Sequence, residues 1–407
     1  MAKKKPKSEV VTIDDTAEQR LGIMFPHMWA GKPLATIENM QGLFGVYGIT
    51  ARYNVISKRC EINIPGEDFT KDNWENASLA TIMSKMAEMR MPTTSAADYI
   101  LRLADKNQYN PVMDWITSKE WDGVDRVPEL CATIEAEHEE AKNLFIYRWL
   151  VTACSMALHE GVDSAGCLVL QGAQGLGKTW WIRKLVPDAE LRDVVRTGAN
   201  LNTRDRDSMS QFIRYWIAEL GEIGSTFKRN EIDMLKAFIT DSQDILRRPY
   251  GRGDCVYPRR TAIIASVNDY IYLHDATGNR RFWTIACKAV NSYHTVNMQQ
   301  LWAQILVDVQ KGESWQMTEA ERAWVKFINE SHAIADPICE MVAEKYIIGQ
   351  EGLGKIKRTA SSIAKDIGIK VITPRETRLI ATFLRKMEVK ETKSKGMIYY
   401  ELNAPEN

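Results

Sequence analysis

The clearest chemistry lies in Gly172-Ala173-Gln174-Gly175-Leu176-Gly177-Lys178-Thr179, which carries the spacing G-x-x-x-x-G-K-T. A loop of this kind, a P-loop, wraps phosphate oxygens. Its glycines admit the turns that aim successive N–H groups inward, the lysine ammonium reaches the outer phosphates, and the threonine hydroxyl sits on Mg²⁺. The chemistry needs a strand before the loop and a helix after it. Cys167 to Leu170 is a short apolar run that reads as a buried strand, and Trp180, Ile182 and Leu185 follow at helical spacing. The helix start adds free N–H donors and a favourable dipole. The nucleotide-binding set is therefore Gly172, Gln174, Gly175, Leu176, Gly177, Lys178 and Thr179. A Gly-rich turn between a core strand and a helix is the plainer alternative.

Such a loop needs an acid at a nearby strand end to hold Mg²⁺ directly or through water. Tyr215 to Glu219 is an apolar run ending on a carboxylate, and Glu222, three residues on, could polarise an attacking water. An ordinary strand followed by surface glutamates would look the same. Thr261 to Val267 reads as another buried strand. Asn268 at its end can reach a γ-phosphate or orient the water. A Gly278-Asn279 turn then presents Arg280 and Arg281 ahead of Phe282-Trp283. Two arginines so held could serve as an arginine finger, worth ~10³–10⁵ in rate at a P-loop site; structural ion pairing is the rival reading for either. The expected catalytic set is Lys178, Glu219, Glu222, Asn268, Arg280 and Arg281, with Thr179 and Glu219 on the metal.

Positive charge is dense between residues 228 and 260, at Lys228, Arg229, Lys236, Arg247, Arg248, Arg252, Arg259 and Arg260. Arg247, Arg248, Tyr250 and Arg252 read as a turn or hairpin tip. Arginines beside an aromatic ring can grip single-stranded backbone and bases, and a solvated loop is the alternative.

The elements that must position these groups fall into six stretches. Residues 1–20 open on Lys3, Lys4, Lys5 and Lys7 and turn acidic, as in a solvated, disordered tail. Residues 21–94 form a small α/β region, with strands expected at Leu43–Gly48, Tyr53–Ile56 and Cys60–Gly66 and a helix at Leu79–Met89. Residues 95–160 are helical before the core, with Trp121–Arg126 as a tight turn packed under an aromatic lid. Residues 161–290 hold the core, and 291–345 a helical linker or lid. Residues 346–407 carry 12 Lys/Arg against 7 Asp/Glu. Helices at Ala360–Ile367 and Pro374–Met387, then a two-stranded wing around Lys393–Gly396, make a winged-helix pattern. Arg375, Arg378, Lys393 and Lys395 are its candidate DNA contacts; a basic helical cap without a ligand is the alternative.

Bulk composition sets few limits. The 407 residues leave room for roughly two or three domains, and 45% are hydrophobic. Lys+Arg and Asp+Glu both number 53, so any nucleic-acid surface must be a local patch. The seven cysteines include no C-x-x-C pair, as in a reduced cytosolic protein, and the six histidines are dispersed, which argues against zinc. No run of about 18 apolar residues occurs. The N-terminus lacks an apolar signal core, so a cytoplasmic location without a membrane partner is expected.

Taken in order, these motifs resemble the virulence-associated protein E family, P-loop ATPases of phages and genomic islands related to superfamily 3 replicative helicases. The matching stretches are Gln174–Thr179, Glu219-Leu220-Gly221-Glu222, Arg248-Pro249-Tyr250-Gly251-Arg252 and Thr277–Trp283, with Asn110-Pro111 and Trp121–Arg126 upstream. The resemblance runs from about residue 95 to 290. It implies an AAA+ type ATPase core, which together with the residue patterns above gives an α/β fold with an N-terminal α/β-helical region and a C-terminal winged-helix-like domain. It further implies ATP and Mg²⁺ as cofactors, a homohexameric ring, and ATP sites between subunits. Arg280 or Arg281 would then act in trans, and the basic hairpin would line a channel for single-stranded DNA. The implied activity is that of an ATP-dependent DNA helicase or translocase of phage or mobile-element replication, alongside phage or host replication proteins. An ATP-regulated DNA-binding initiator or regulator without unwinding activity is the alternative. One departure stands out. Many such helicases place two acids side by side, whereas Leu220 and Gly221 separate Glu219 from Glu222 here; Mg²⁺ is assigned to Glu219 as the strand-end acid.

Overall fold

Helical stripes and short apolar runs alternate along the chain, and the computed structural model resolves them into two α/β units, Met1–Pro111 and Val112–Asn407. It describes residues 25–189, 191–221, 229–247, 253–270, 272–273, 278–332, 337–346, 355–387, 389–394 and 396–403.

In the first unit, β1 (Met28–Trp29) pairs with β2 (Lys32–Pro33). Helix α1 (Ile37–Tyr47) starts on Thr36, whose side chain accepts the Asn39 N–H, and ends on Gly48 at φ 63°. Strands β3 (Thr50–Asn54) and β4 (Arg59–Asn63) are antiparallel. After α2 (Trp74–Glu88) and α3 (Ala96–Asp105), β5 (Gln108–Tyr109) joins β3 in parallel. Leu43–Gly48, expected as a strand, is instead the end of α1. Met40, Leu43 and Phe44 lie three and four residues apart and bury one helical stripe.

Helix α4 (Pro111–Ile116) spans the boundary, and the second unit goes on to α5 (Val127–Cys131), β6 (Ile134–Ala136) and α6 (Glu139–Leu158). Then come β7 (Cys167–Gln171), α7 (Lys178–Lys184), β8 (Val195–Ala199), α8 (Arg206–Phe212), β9 (Ile217–Gly221) and α9 (Arg229–Thr240). A hairpin of β10 (Gln243–Arg247) and β11 (Asp254–Pro258) precedes β12 (Ala262–Val267) and β13 (Phe282–Val290). The main sheet has the order β6-β13-β7-β12-β9-β8. The five strands from β13 to β8 are parallel, and β6 caps β13 antiparallel.

A parallel sheet is covered on both faces, so its central strands are apolar throughout, and every residue of β7 is buried. Cys167 and Val169 pack with Phe212, Leu235, Phe238 and Ile239. Helix α6 runs along β7, β12 and β13. Trp149 of α6 donates its ring N–H to the Ile263 carbonyl at 2.8 Å, and Trp216 donates to the Ala153 carbonyl at 2.9 Å. A buried indole N–H left without an acceptor would cost about 1–3 kcal/mol. Strand β8 falls in Asp188–Thr203, a stretch that reads as polar and turn-rich. It is the outermost strand of the sheet, where half-exposed polar residues are tolerated and the apolar signal fades.

Helices α10 (Met298–Gln310), α11 (Glu319–His332) and α12 (Pro337–Lys345) follow. The remainder is β14 (Lys355–Arg358), α13 (Ala360–Asp366), α14 (Pro374–Lys386), β15 (Glu391–Ser394) and β16 (Met397–Asn403). Here a β14-β16-β15 sheet closes on Ile363, Ile380, Phe383, Leu384 and Leu402. Helix α14 opens with Pro374 in its first turn and a Thr373/Glu376 capping box. No helix among the described residues is long and apolar enough to cross a membrane.

Candidate functional site

The loop from Gly172 to Gly177 joins β7 to α7 and is pressed against its neighbours. The Gly172 N–H donates to the Val267 carbonyl of β12 at 3.0 Å. A Cβ on Gly172 (φ 154°) would lie 2.8 Å from the Cys287 carbonyl, and one on Gly177 (φ 89°) would lie 2.9 Å from Ser292 Oγ. Only glycine fits at either place. Gln174 and Gly175 form the exposed crest, Gly175 at φ 86°, and Leu176 packs back against Gly172.

Lys178, the first residue of α7, is buried. Its Nζ donates to Gly172 O at 2.6 Å, Ala173 O at 2.9 Å and Asn268 Oδ1 at 3.1 Å. Burial pushes the ammonium pKa down, against an upward pull from Cys287 and Glu219. Thr179 Oγ1 donates to Glu219 Oε1 at 2.8 Å, and Glu219 Oε2 accepts the Gly198 N–H at 3.1 Å. Glu219 was expected at the end of its strand. It lies inside β9, which continues to Gly221, and is only 1% exposed. A carboxylate buried that deeply must find donors; the Thr179 hydroxyl and the Gly198 N–H are two.

Lys178, Thr179, Glu219 and Asn268 therefore meet where β7, β12 and β9 reach their carboxyl ends. Open parallel sheets bind ligands in such a crevice. Among the described residues no group of three His, Cys, Asp or Glu side chains could hold a metal ion. A divalent cation beside Thr179 and Glu219 would thus take further oxygens from a phosphate ligand, as Mg²⁺ commonly does.

Arg280 and Arg281 stand elsewhere. Strand β13 runs parallel to β7, with Phe282 opposite Cys167 and Ala286 opposite Gln171. The arginines precede Phe282, so they sit at the amino end of the sheet, ~13 Å of strand from the level where the loop begins. The structure does not bring them to the loop of their own chain. They border a recess of about 210 Å³ together with Asp163, Trp283 and Arg322. Arg280 is exposed, whereas Arg281 Nε is buried with no hydrogen-bond partner among the described residues.

The expected hairpin is present, with Arg247 at the end of β10 opposite Asp254. Arg248, Tyr250 and Arg252, like Glu222 and Lys395, lie outside the described residues. Two arginines of the basic stretch prove to be core residues. Arg259, 0% exposed, donates Nε to Asp244 Oδ2 at 2.6 Å, Nη2 to Asp244 Oδ1, and Nη1 to the Phe238 carbonyl at 2.7 Å. Arg260 donates to the Ala157 carbonyl at 2.7 Å and to Glu160 at 3.1 Å. Neither guanidinium is available to a polyanion. In the C-terminal stretch Arg375, Arg378 and Lys393 are exposed and have no ion pair among the described residues. Lys357, Arg358 and Arg385 are paired with Glu401, Asp366 and Glu391.

Upstream, the Trp121–Arg126 turn is a structural device. Gly123 takes φ 85°, Trp121 Nε1 donates to Val124 O at 2.9 Å, and Arg126 makes two bonds to Asp122 at 2.7 and 2.6 Å. Those bonds hold the Asp122 carboxyl down at about 2. Gln300 and Gln304 of α10 accept the Asp122 and Arg126 backbone N–H groups, both at 2.8 Å. Sequence reasoning missed these glutamines, although their four-residue spacing puts them on one helix face. It also missed Gly198, whose only signal is a lone glycine within a strand.

A family model described as the virulence-associated protein E-like domain matches residues 116–334. No curated protein matches. Among solved structures, an A-form apo structure of the NrS-1 C-terminal region is 16% identical, covers 90% of this chain and 99% of its own, and has a TM-score of 0.44. A second apo structure of that region is 14% identical, with 90% and 98% coverage and a TM-score of 0.42. Likeness at that level carries no argument about activity. The family model, spanning more than half of the chain, does settle membership: the protein belongs to the virulence-associated protein E-like family.

Proposed function

We propose that the chain is an ATPase that moves on DNA, a ring-forming helicase or translocase of phage or mobile-element replication built on a P-loop, AAA+ type core with a winged-helix-like domain at residues 346–407. The observation that carries this reading is the meeting of Lys178, the Thr179–Glu219 pair and Asn268 at the carboxyl ends of three adjacent parallel strands. Strand β12 lies between the loop strand and the acid strand, so Asn268 is delivered between the two.

The donor set fits ATP with Mg²⁺. Gly175 and Gly177, both at positive φ, would let loop N–H groups face a phosphate, and Lys178 has three carbonyl-type acceptors that phosphate oxygens would replace. Thr179 and Glu219 would hold the cation, which supplies neutralisation of charge developing on the transferred phosphoryl group. Asn268, in reach of Lys178, would orient the γ-phosphate or the water, and Glu222 would share the activation of that water with Glu219. The placement of Arg280 and Arg281 at the other end of the sheet favours their use in a neighbouring protomer's site, as a hexamer would allow. The β10–β11 hairpin would present Arg247, Arg248, Tyr250 and Arg252 to single-stranded DNA, and Arg375, Arg378, Lys393 and Lys395 would form a second contact.

The deciding experiment measures ATP hydrolysis with and without single-stranded DNA, together with strand displacement on a forked duplex. Stimulation with displacement is expected, and Lys178→Ala should abolish both. Hydrolysis that ignores DNA and displaces nothing would sink the motor reading in favour of an ATP-regulated initiator. Turnover retained in Lys178→Ala would remove the nucleotide site itself.

A further inference from the structure

Asn329, near the end of α11, is 4% exposed and fully hydrogen-bonded. Its Nδ2 donates to Asn279 O at 2.8 Å and to Phe282 O at 2.9 Å, the carbonyls on either side of Arg280 and Arg281. Its Oδ1 accepts from Thr284 Oγ1 at 2.7 Å. Carbonyl oxygens can only accept, so the amide orientation is determined: NH₂ toward the turn, oxygen toward Thr284. With its own proton directed at Asn329, the Thr284 hydroxyl must accept from Tyr272 O–H at 2.6 Å. Donation thus runs one way, from Tyr272 to Thr284 to Asn329 to the arginine turn, and every hydroxyl and amide in the chain is buried.

Residues Asn279–Arg281 form one 3₁₀ turn after Gly278, which takes φ 73°. Its internal bond, Arg281 N–H to Gly278 O, is long at 3.5 Å. The Phe282 N–H also donates to the Asn279 carbonyl, and the buried Asn329 amide adds a grip from another element on the carbonyls at both ends of the turn. Through Thr284 and Tyr272 the clamp reaches back toward the segment that follows Asn268. His332, one turn after Asn329, meets that segment again at Tyr270 O, 2.7 Å away.

We propose that Asn329 is a positioning residue for the arginine turn, holding Arg280 and Arg281 for use in a neighbouring protomer's nucleotide site. The inference rests on the ATPase reading above. Asn329→Asp tests it: the carboxylate still accepts from Thr284 but offers a second oxygen, not a donor, to two carbonyls. A misplacement of order 1 Å costs ~10²-fold in rate. The expected result is a kcat lower by ~10²-fold with nucleotide affinity nearly unchanged, the split that marks an interaction felt only in the transition state.

Mixed assemblies separate positioning from mere folding. Asn329→Asp keeps its own phosphate loop, and Lys178→Ala keeps its own arginine turn, so mixing them should restore hydrolysis. Mixing Asn329→Asp with the Arg280→Ala/Arg281→Ala double variant should not. Thr284→Val should repeat the Asn329→Asp behaviour and Thr284→Ser should rescue it, which keeps the test open if Asn329→Asp fails to fold. Should the double arginine variant complement Lys178→Ala while Asn329→Asp and Thr284→Val do not, the positioning role is overturned and the ATPase reading stands. Wild-type kcat in both clamp variants overturns it too. If the double arginine variant itself fails to complement Lys178→Ala, the trans arginine falls and takes this inference with it.

Discussion

Arg259 sits in the densest basic stretch of the chain, yet its loss should damage the core and leave DNA affinity alone. The guanidinium is wholly buried, makes two bonds to Asp244 and one to the Phe238 carbonyl, and lies 4.0 Å over the Phe238 ring. Asp244 is itself only 3% exposed. Removing either partner strands a charge out of water, which costs about 3–5 kcal/mol. That is a large share of the ~5–15 kcal/mol that holds a domain folded. The pair as a whole is worth far less than this, because desolvating both ions offsets most of their attraction. The double variant Asp244→Leu/Arg259→Met, which replaces charge by apolar volume, should therefore recover most of what either single variant loses. Denaturant unfolding followed by tryptophan fluorescence reads this out, since Trp149 and Trp216 are buried beside the main sheet, whose β12 starts just after Arg259. DNA binding is measured alongside, in conditions where each variant remains folded. The expected signature is a core transition lowered by ~3–5 kcal/mol in Asp244→Ala and Arg259→Ala, a smaller drop in the double variant, and unchanged DNA affinity. Arg259→Ala with parental stability and weakened DNA binding would refute the reasoning and return the residue to the basic surface.

Two further outcomes follow from local geometry. Gly177→Ala puts a methyl 2.9 Å from Ser292 Oγ, whereas Gly175→Ala meets nothing within 4 Å. Both pay the left-handed penalty of ~1–2 kcal/mol, but only the first displaces the loop, so calorimetry should show the larger loss of nucleotide affinity at Gly177; equal losses would contradict the packing. Burial holds the His332 imidazole down at about 4, while the unfolded chain takes up that proton near pH ~6.5. The unfolded state binds more protons between those values, so this contribution is complete above ~6.5 and drains as pH falls toward 4, by up to ~3 kcal/mol. His332→Asn should flatten the decline of stability between pH 7 and pH 4, and an unaltered slope would show that the ring is not buried neutral.

Local spacing was enough to read the strand–loop–helix from Cys167 to Lys184, the strand ahead of Asn268 and the turn ahead of Phe282. Each is a short segment whose apolar run or glycine turn announces itself without help from the rest of the chain. What stayed hidden depends on residues far apart in sequence. Strand β8 is polar because it lies at an edge, and Glu219 looks like a strand end because the Gly221 that extends β9 reads as a turn. Charge density placed Arg259 and Arg260 with the surface arginines, since nothing local reveals that Asp244 and the Ala157 carbonyl wait for them inside. Asn329 lies some distance along the chain from the turn that it clamps, and nothing in its own neighbourhood marks it.

The two ends of the main sheet differ in kind. Its carboxyl end gathers the groups that would cradle a nucleotide, and its amino end carries the arginines. If catalysis needs both, no single copy is self-sufficient. The contact that completes a site must join unlike surfaces, head to tail, and every such contact leaves one unmatched end until the last copy meets the first. Specific activity should then climb steeply with protein concentration at high dilution, and an unclosed chain of copies would always contain one idle site.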